Sequence, residues 1–199
     1  MTRQAKRSRS TRETSIDVTL DLDGKGEASV DTGLPFFDHM VSQLGKHGGF
    51  DLSVAAKGDL AVDAHHTVED VGIALGECVR EALGDKAGIR RFSSIDLPLD
   101  EALVSVALDV SGRPYLVYEV DPGGGGEARP LGSPAFDPQL AEEFWRAFVT
   151  SAGLTLHIRM ISGRNTHHIL EASFKAVARA LRQAVQVEGA DVPSTKGVL

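Results

Sequence analysis

Cysteine is almost missing from this chain of 199 residues. The single Cys78 has no partner for an internal disulfide, which excludes a disulfide-framed scaffold and fits a reducing compartment. It falls on the apolar stripe Val68, Val71, Leu75, Val79 and Ala82 of a helical stretch and reads as a packing residue. Long apolar runs are also absent. None approaches the roughly 20 residues that cross a bilayer, so a soluble chain in the cytoplasm is expected, with no membrane partner. Nor is there a strong excess of charge. With 21 Lys and Arg against 28 Asp and Glu, the net charge is −7, which gives no basis for a nucleic-acid partner. A hydrophobic share of 42% supports a true core, and the length fits one domain or two small, closely packed ones.

Residues 1–12 carry Arg3, Lys6, Arg7, Arg9 and Arg12 among Ser and Thr, without an acid. The stretch lacks the length and apolar face of an organellar transit peptide, so a disordered basic arm is expected. Glu13 then opens a strand that alternates at Ile16, Val18, Leu20 and Leu22. Asp23-Gly24-Lys25-Gly26 predicts a hairpin loop to a second strand through Val30. Pro35 suits a first helical position, and Phe36, Phe37, Met40, Val41 and Leu44 form the stripe of a helix closed by Gly48-Gly49. A strand with Phe50, Leu52 and Val54 follows. In the second half, strands are expected near 91–97, 102–110 and 115–120, a helix over 138–150, a strand with Leu154, Leu156 and Ile158, and a helix from His167 to about Val187. The loop holding Gly123 to Gly126 reads as a surface excursion and not as a phosphate cradle, because no strand–glycine–helix arrangement follows.

Chemistry concentrates in Asp63-Ala64-His65-His66-Thr67-Val68-Glu69-Asp70, which returns as Asn165-Thr166-His167-His168-Ile169-Leu170-Glu171-Ala172. Each is His-His-x-x-Glu at the mouth of a helix. Positions four apart share a face, so His65 with Glu69, and His167 with Glu171, can grip one ion. The second histidine of each pair points roughly 100° away and can reach another ion. Imidazole nitrogen with carboxylate oxygen suits Mn, Fe, Zn or Ni. One such copy is as well explained by a polar helix cap; two matched copies are not.

The copies belong to an internal repeat. At an offset of 104, Met40 falls on Phe144, Leu44 on Phe148, Gly49 on Gly153, Leu52 on Leu156 and Val54 on Ile158. A loop two residues shorter then brings the histidine pairs into line. The repeat divides the chain into half-domains at 13–89 and 90–199 and predicts an α+β architecture with helices layered on sheets. It also sets His39 opposite Glu143, raising His39 from a residue of the apolar stripe to a candidate ligand. His39, His65, His66, Glu69, Glu143, His167, His168 and Glu171 thus form a candidate set of eight ligands, enough for two ions with open positions. His47, at a helix end, reads as structural, and His157, alternating between Leu156 and Ile158, could support a ligand from behind.

The segments Leu34-Pro35-Phe36-Phe37-Asp38-His39-Met40, Ser111-Gly112-Arg113-Pro114-Tyr115-Leu116 and Pro193-Ser194-Thr195-Lys196-Gly197, with the two His-His-x-x-Glu units, resemble the imidazoleglycerol-phosphate dehydratases of histidine biosynthesis. The resemblance runs from about Arg12 to Leu199. It implies a duplicated fold like the second domain of ribosomal protein S5, two Mn2+ per active site, and an octahedral shell of twenty-four subunits with sites at subunit contacts. The implied reaction removes water from C2 and C3 of a glycerol phosphate carrying an imidazole. The C2 proton has no carbonyl to acidify it. A ring deprotonated to imidazolate between two metals can instead push electrons toward C3 and expel its hydroxyl. Loss of the C2 proton then gives an enol that becomes the ketone.

By the same resemblance Glu13 is a candidate proton carrier, alongside His65, Glu69, His167 and Glu171. Arg91, Arg113, Lys175, Ser194 and Lys196 are candidates to hold phosphate, and Gln43 is a weaker substrate contact. One departure matters. Where most of the family carries a histidine in the 138–150 helix, this chain has Glu142-Glu143-Phe144, which would exchange an imidazole for a carboxylate. The glycine loop is a second departure. A dinuclear metallohydrolase of phosphate esters would use similar ligands, and a non-catalytic metal-binding shell protein would keep the ligands without the phosphate set.

Overall fold

The computed structural model describes residues 3–199. The first sheet joins β1 (Gln4–Ser10), β2 (Thr14–Asp21), β3 (Ala28–Asp31) and β4 (Asp51–Gly58), with α1 (Pro35–Gly48) between β3 and β4. After α2 (His65–Leu83) the sequence of elements repeats: β5 (Phe92–Leu99), β6 (Ala102–Asp109), β7 (Tyr115–Glu119), α3 (Leu140–Ala152), β8 (Thr155–Ser162) and α4 (Thr166–Ala184). The two four-stranded sheets have the same mixed topology, β1-β2-β4-β3 and β5-β6-β8-β7. The α+β expectation and the internal duplication both hold.

Two expectations fail at the start of the chain. Residues 4–10, part of the expected disordered arm, form a strand that pairs antiparallel with β2 from Gln4–Asp21 to Ser10–Ser15. The cations that made the stretch look unstructured have acids on α2 opposite them: Arg7 meets Glu77 and Glu81, and Arg9 meets Asp70. Residues 1 and 2 of the expected arm lie outside the described residues. The hairpin expected at Asp23–Gly26 is not one either, since β3 pairs parallel with β4, not with β2. The Asp51 carboxylate accepts the backbone N–H of Lys25 at 2.8 Å and of Glu27 at 3.0 Å, drawing the turn across the end of β4. Only glycine fits at position 24, where a Cβ would stand 2.3 Å from the Asp51 nitrogen.

Each sheet buries one face, as the alternation of β2 and β6 requires. Helices α1 and α2 cover the first sheet, α4 and α3 the second, and the helices then pack across the repeat, α1 on α4 and α2 on α3. The α2–α3 pair approaches closely at Gly72 and Gly76, where a Cβ would meet the carbonyl oxygens of Phe144 and Phe148 at 2.8 and 2.5 Å. Phe144, Trp145, Phe148 and Phe174 form the aromatic centre of the core. Crossing the halves in this way is what sets His39 of one repeat against His167 of the other. Among the described residues, no helix is long and apolar enough to cross a membrane.

Candidate metal centre

The first turn of α4 is fixed before any ion is considered. The Asn165 side chain caps it, accepting the N–H of His167 at 2.9 Å and of His168 at 3.3 Å. His167 and Glu171 then lie one turn apart, with Nε2 of the histidine 2.8 Å from Oε2 of the acid. From α1, His39 brings its Nε2 to 3.4 Å from the same oxygen. His39, His167 and Glu171 each place one donor atom within 4.8 Å of the others, and they are the one such group of three His, Cys, Asp or Glu residues among the described residues. Two nitrogens and one carboxylate oxygen on a partly exposed rim fit a divalent transition ion that keeps open positions.

Electrostatics favour a charged ligand here. Burial works to raise the Glu171 carboxyl, yet Lys175, whose Nζ lies 2.7 Å away, and His167 outweigh it and hold the group at about 2. The anion is present at any physiological pH. Gln43, one turn from His39, is buried and stands with its amide nitrogen 2.9 Å from the His39 carbonyl and 3.2 Å from Nδ1. Both Lys175 and Gln43, singled out for substrate, thus touch the metal set itself.

The pseudo-equivalent set is looser. His65 and Glu143 line one cavity of about 500 Å3 with Asp63, Asp137 and Glu142. Glu69 is half-buried one turn along α2 but does not close a three-ligand cluster with them. Arg146 draws on the acids of α3, 2.6 Å from Glu142 and 3.7 Å from Glu143. The second histidine of each pair turns to a carboxylate from another element. His66 Nδ1 faces Asp59 at 3.0 Å and Glu13 at 3.8 Å, and Asp59, through its hydrogen bond, raises the His66 pKa. His168 Nδ1 lies 2.8 Å from Glu101, whose carboxyl is held at about 2 first by that hydrogen bond and then by the Asn165 N–H. Asp59 and Glu101 were not expected from the sequence. Glu101 had a signal, since Glu13 and Glu101 each stand just before the second strand of their sheet.

The expected phosphate residues converge elsewhere. Arg91, Arg113, Ser194 and Lys196 line a cavity of about 650 Å3 together with Pro193 and Thr195. Asp109 pins the Arg91 guanidinium at 2.7 and 3.2 Å, and the Pro193 carbonyl accepts from it at 2.7 Å. Arg113 stays open to solvent. None of the metal-set residues lines this cavity. The glycine loop forms no phosphate cradle: the Asp121 carboxylate already accepts the N–H groups of Gly123 and Gly125 at 2.9 and 2.7 Å.

Known proteins resemble this chain in sequence and fold over nearly its whole length. The family model for imidazoleglycerol-phosphate dehydratase matches residues 32–181. The imidazoleglycerol-phosphate dehydratase of Frankia casuarinae is 57% identical, with both chains covered in full. That of Caldanaerobacter subterraneus is 52% identical over 99% of this chain and all of the relative. The crystal structure of the Staphylococcus aureus enzyme superposes with a TM-score of 0.80 at 35% identity, covering 92% of this chain and 99% of that one. The Pyrococcus furiosus structure gives a TM-score of 0.78 at 37% identity, with 97% and 100% covered. Identity at this level across the full length, with the duplicated fold in common, places the chain in the imidazoleglycerol-phosphate dehydratase family.

Proposed function

We propose that the two His-His-x-x-Glu helices deliver their donors to a pair of divalent ions, Mn2+ foremost, at which this chain carries out its family's reaction. That reaction is the dehydration of imidazoleglycerol phosphate to imidazole acetol phosphate in histidine biosynthesis, and the chain is a hydro-lyase. Phosphate-ester hydrolysis and a purely structural shell are thereby set aside. The His39–His167–Glu171 cluster carries the proposal.

His39, His167 and Glu171 would hold one ion, and His65, Glu69 and Glu143 a second, with His66 and His168 free to complete either. Bound there, the ions supply Lewis acidity that favours the deprotonated substrate imidazole. The chain's own groups do the rest. Glu13, more than half exposed at the edge of the His66 group, would take the C2 proton on Oε2 as the C3 hydroxyl departs, and return it to the departing hydroxide so that the two leave as water. The enol then becomes the ketone. Arg113, Ser194 and Lys196, with Arg91 braced by Asp109, present donors and positive charge to a phosphate.

That the phosphate-type cavity and the metal sets have no lining residue in common supports a site completed by another subunit, as in an octahedral assembly of twenty-four copies. Cytoplasmic location belongs to the same proposal. The test supplies imidazoleglycerol phosphate with and without Mn2+ and follows both ketone and inorganic phosphate. Ketone that depends on the metal is expected. Ketone formed at an undiminished rate in metal-stripped protein, reconstituted with no ion, would overturn the dimetal reading.

A further inference from the structure

Ligation needs a lone pair on the metal-facing nitrogen, and a neutral histidine has only one such nitrogen. The tautomer must therefore be set, and in each half a carboxylate stands where it can set it. The first half supplies Asp59, from the loop after β4, with both oxygens near His66 Nδ1 at 3.0 and 3.3 Å. The second supplies Glu101, from the turn before β6, 2.8 Å from His168 Nδ1. An ionised carboxylate only accepts, so Nδ1 must carry the proton and Nε2 is left bare.

The two solutions are unequal for a reason visible in the repeat. At the offset of 104 the counterpart of Asp59 is Gly163, which has no side chain to offer. Glu101 fills the gap. Its other oxygen accepts the N–H of Asn165 at 2.8 Å and of Arg164 at 3.2 Å, tying the acid to the lead-in of α4. Glu13, which stands in the same place in the first half, has its carboxylate 3.8 Å from His66 Nδ1, while its backbone N–H donates to Thr11 Oγ1 at 3.1 Å. Where Asp59 orients the histidine, the strand-edge glutamate is released; where glycine replaces it, the glutamate is committed.

We propose that Asp59 and Glu101 are positioning residues that lock His66 and His168 as Nδ1–H tautomers, each presenting Nε2 to a divalent ion. This rests on the dimetal reading, since it takes both histidines as ligands. Such partners behind a ligand change metal affinity about 10- to 100-fold when removed. Glu101→Gln is the sharp variant. Its single amide oxygen can go on serving the Asn165 and Arg164 N–H groups, while its NH2 donates to Nδ1 and drives the proton to Nε2.

The experiment titrates Mn2+ into the assembled, metal-stripped full-length protein and reads free Mn2+ by electron paramagnetic resonance. Glu101→Gln and Asp59→Asn are expected to weaken binding about 10- to 100-fold, with Glu101→Asp recovering part of the loss. Histidine→alanine variants at positions 66 and 168 separate the two ideas. If His168→Ala weakens binding and Glu101→Gln does not, the positioning role is overturned and the dimetal reading stands. If His168→Ala and His66→Ala both bind as the unaltered protein does, the ligand assignment fails and takes the positioning role with it. Histidine 15N shifts give a second measure in the metal-stripped protein: Nδ1 protonated in the native chain, Nε2 protonated in Glu101→Gln. Unchanged shifts count against the proposal.

Discussion

His167 and Glu171 stand one helical turn apart on α4 with donor atoms 2.8 Å apart, and Glu171 also faces His39 from the other half of the repeat. The carboxylate thus joins two elements that share no local sequence. Without it the cluster keeps two imidazoles and loses its only anion. Glu171→Ala is expected to abolish turnover and to release about one ion per subunit, measured by elemental analysis of the dialysed protein. His65→Ala, on the pseudo-equivalent helix, is expected to abolish turnover as well. Either variant retaining activity with full metal content would remove that residue from the site.

Strand β1 makes a prediction opposite to that of a disordered arm. Trimming a disordered arm costs nothing, whereas removing Gln4–Ser10 strips seven paired residues from β2 and leaves it as a bare edge. It also takes Arg9, 2.8 Å away, from the buried Asp70, whose remaining partner is then Thr14 Oγ1 at 2.5 Å. Arg9→Ala alone should cost about 1–3 kcal/mol, the penalty for a buried polar group left short of a partner, since Arg9 is itself partly solvated. Urea unfolding of the variant gives the value. A midpoint equal to that of the unaltered chain would restore the arm to a dispensable role.

The same strand shows where sequence reasoning fell short. Local composition suggested disorder because a run of Arg and Ser has no apolar alternation, and only Ala5 of β1 is buried among the core residues. What orders the strand is backbone pairing and the acids of α2, both distant in sequence. The repeat could have corrected this, since three strands were expected in the second half before its α3 helix and only two in the first. The hairpin failed for a related reason: a glycine-rich turn signals a change of direction and not which neighbour the next strand takes. The grouping of His167 with Glu171 was legible because helical spacing is local, and that of His39 with them because the duplication set it opposite Glu143. Asp59 was not, and Glu101 had a signal only through its place opposite Glu13, since the relation of either to the histidines depends on how loops close over the sheet ends.

Close approach of α2 and α3 at Gly76 sets two effects against each other. Alanine in a helix is favoured over glycine by about 1 kcal/mol. Its Cβ would sit 2.5 Å from the Phe148 carbonyl oxygen and 2.8 Å from the Ser151 Cβ, however, and neither is a flexible side-chain end. Overpacking of this kind costs about 1–3 kcal/mol, so Gly76→Ala should be destabilising on balance. Because α2 carries His65 and Glu69 and α3 carries Glu143, metal affinity should fall too. Differential scanning calorimetry with and without Mn2+ tests both. A raised melting temperature would mean that the helices have room to separate.

Glu143 offers oxygen where most relatives were expected to offer nitrogen, and its repeat counterpart His39 shows what an imidazole does at that place. Two carboxylates and one imidazole make a harder donor set than the two imidazoles and one carboxylate of the α4 cluster. Manganese accepts oxygen readily, whereas zinc and nickel gain more from imidazole. Glu143→His should therefore raise the affinity for Zn2+ relative to Mn2+ by about tenfold or more, in line with the Irving–Williams order. Arg146, 3.7 Å from Glu143 and 2.6 Å from Glu142, would keep its nearer partner, so little change in fold stability is expected. Competition between the two ions, read as bound metal at equilibrium, decides the matter. If the Zn2+ to Mn2+ ratio is the same in both proteins, Glu143 does not touch the ion, and the second set depends on His65 and Glu69 with donors from elsewhere in the assembly.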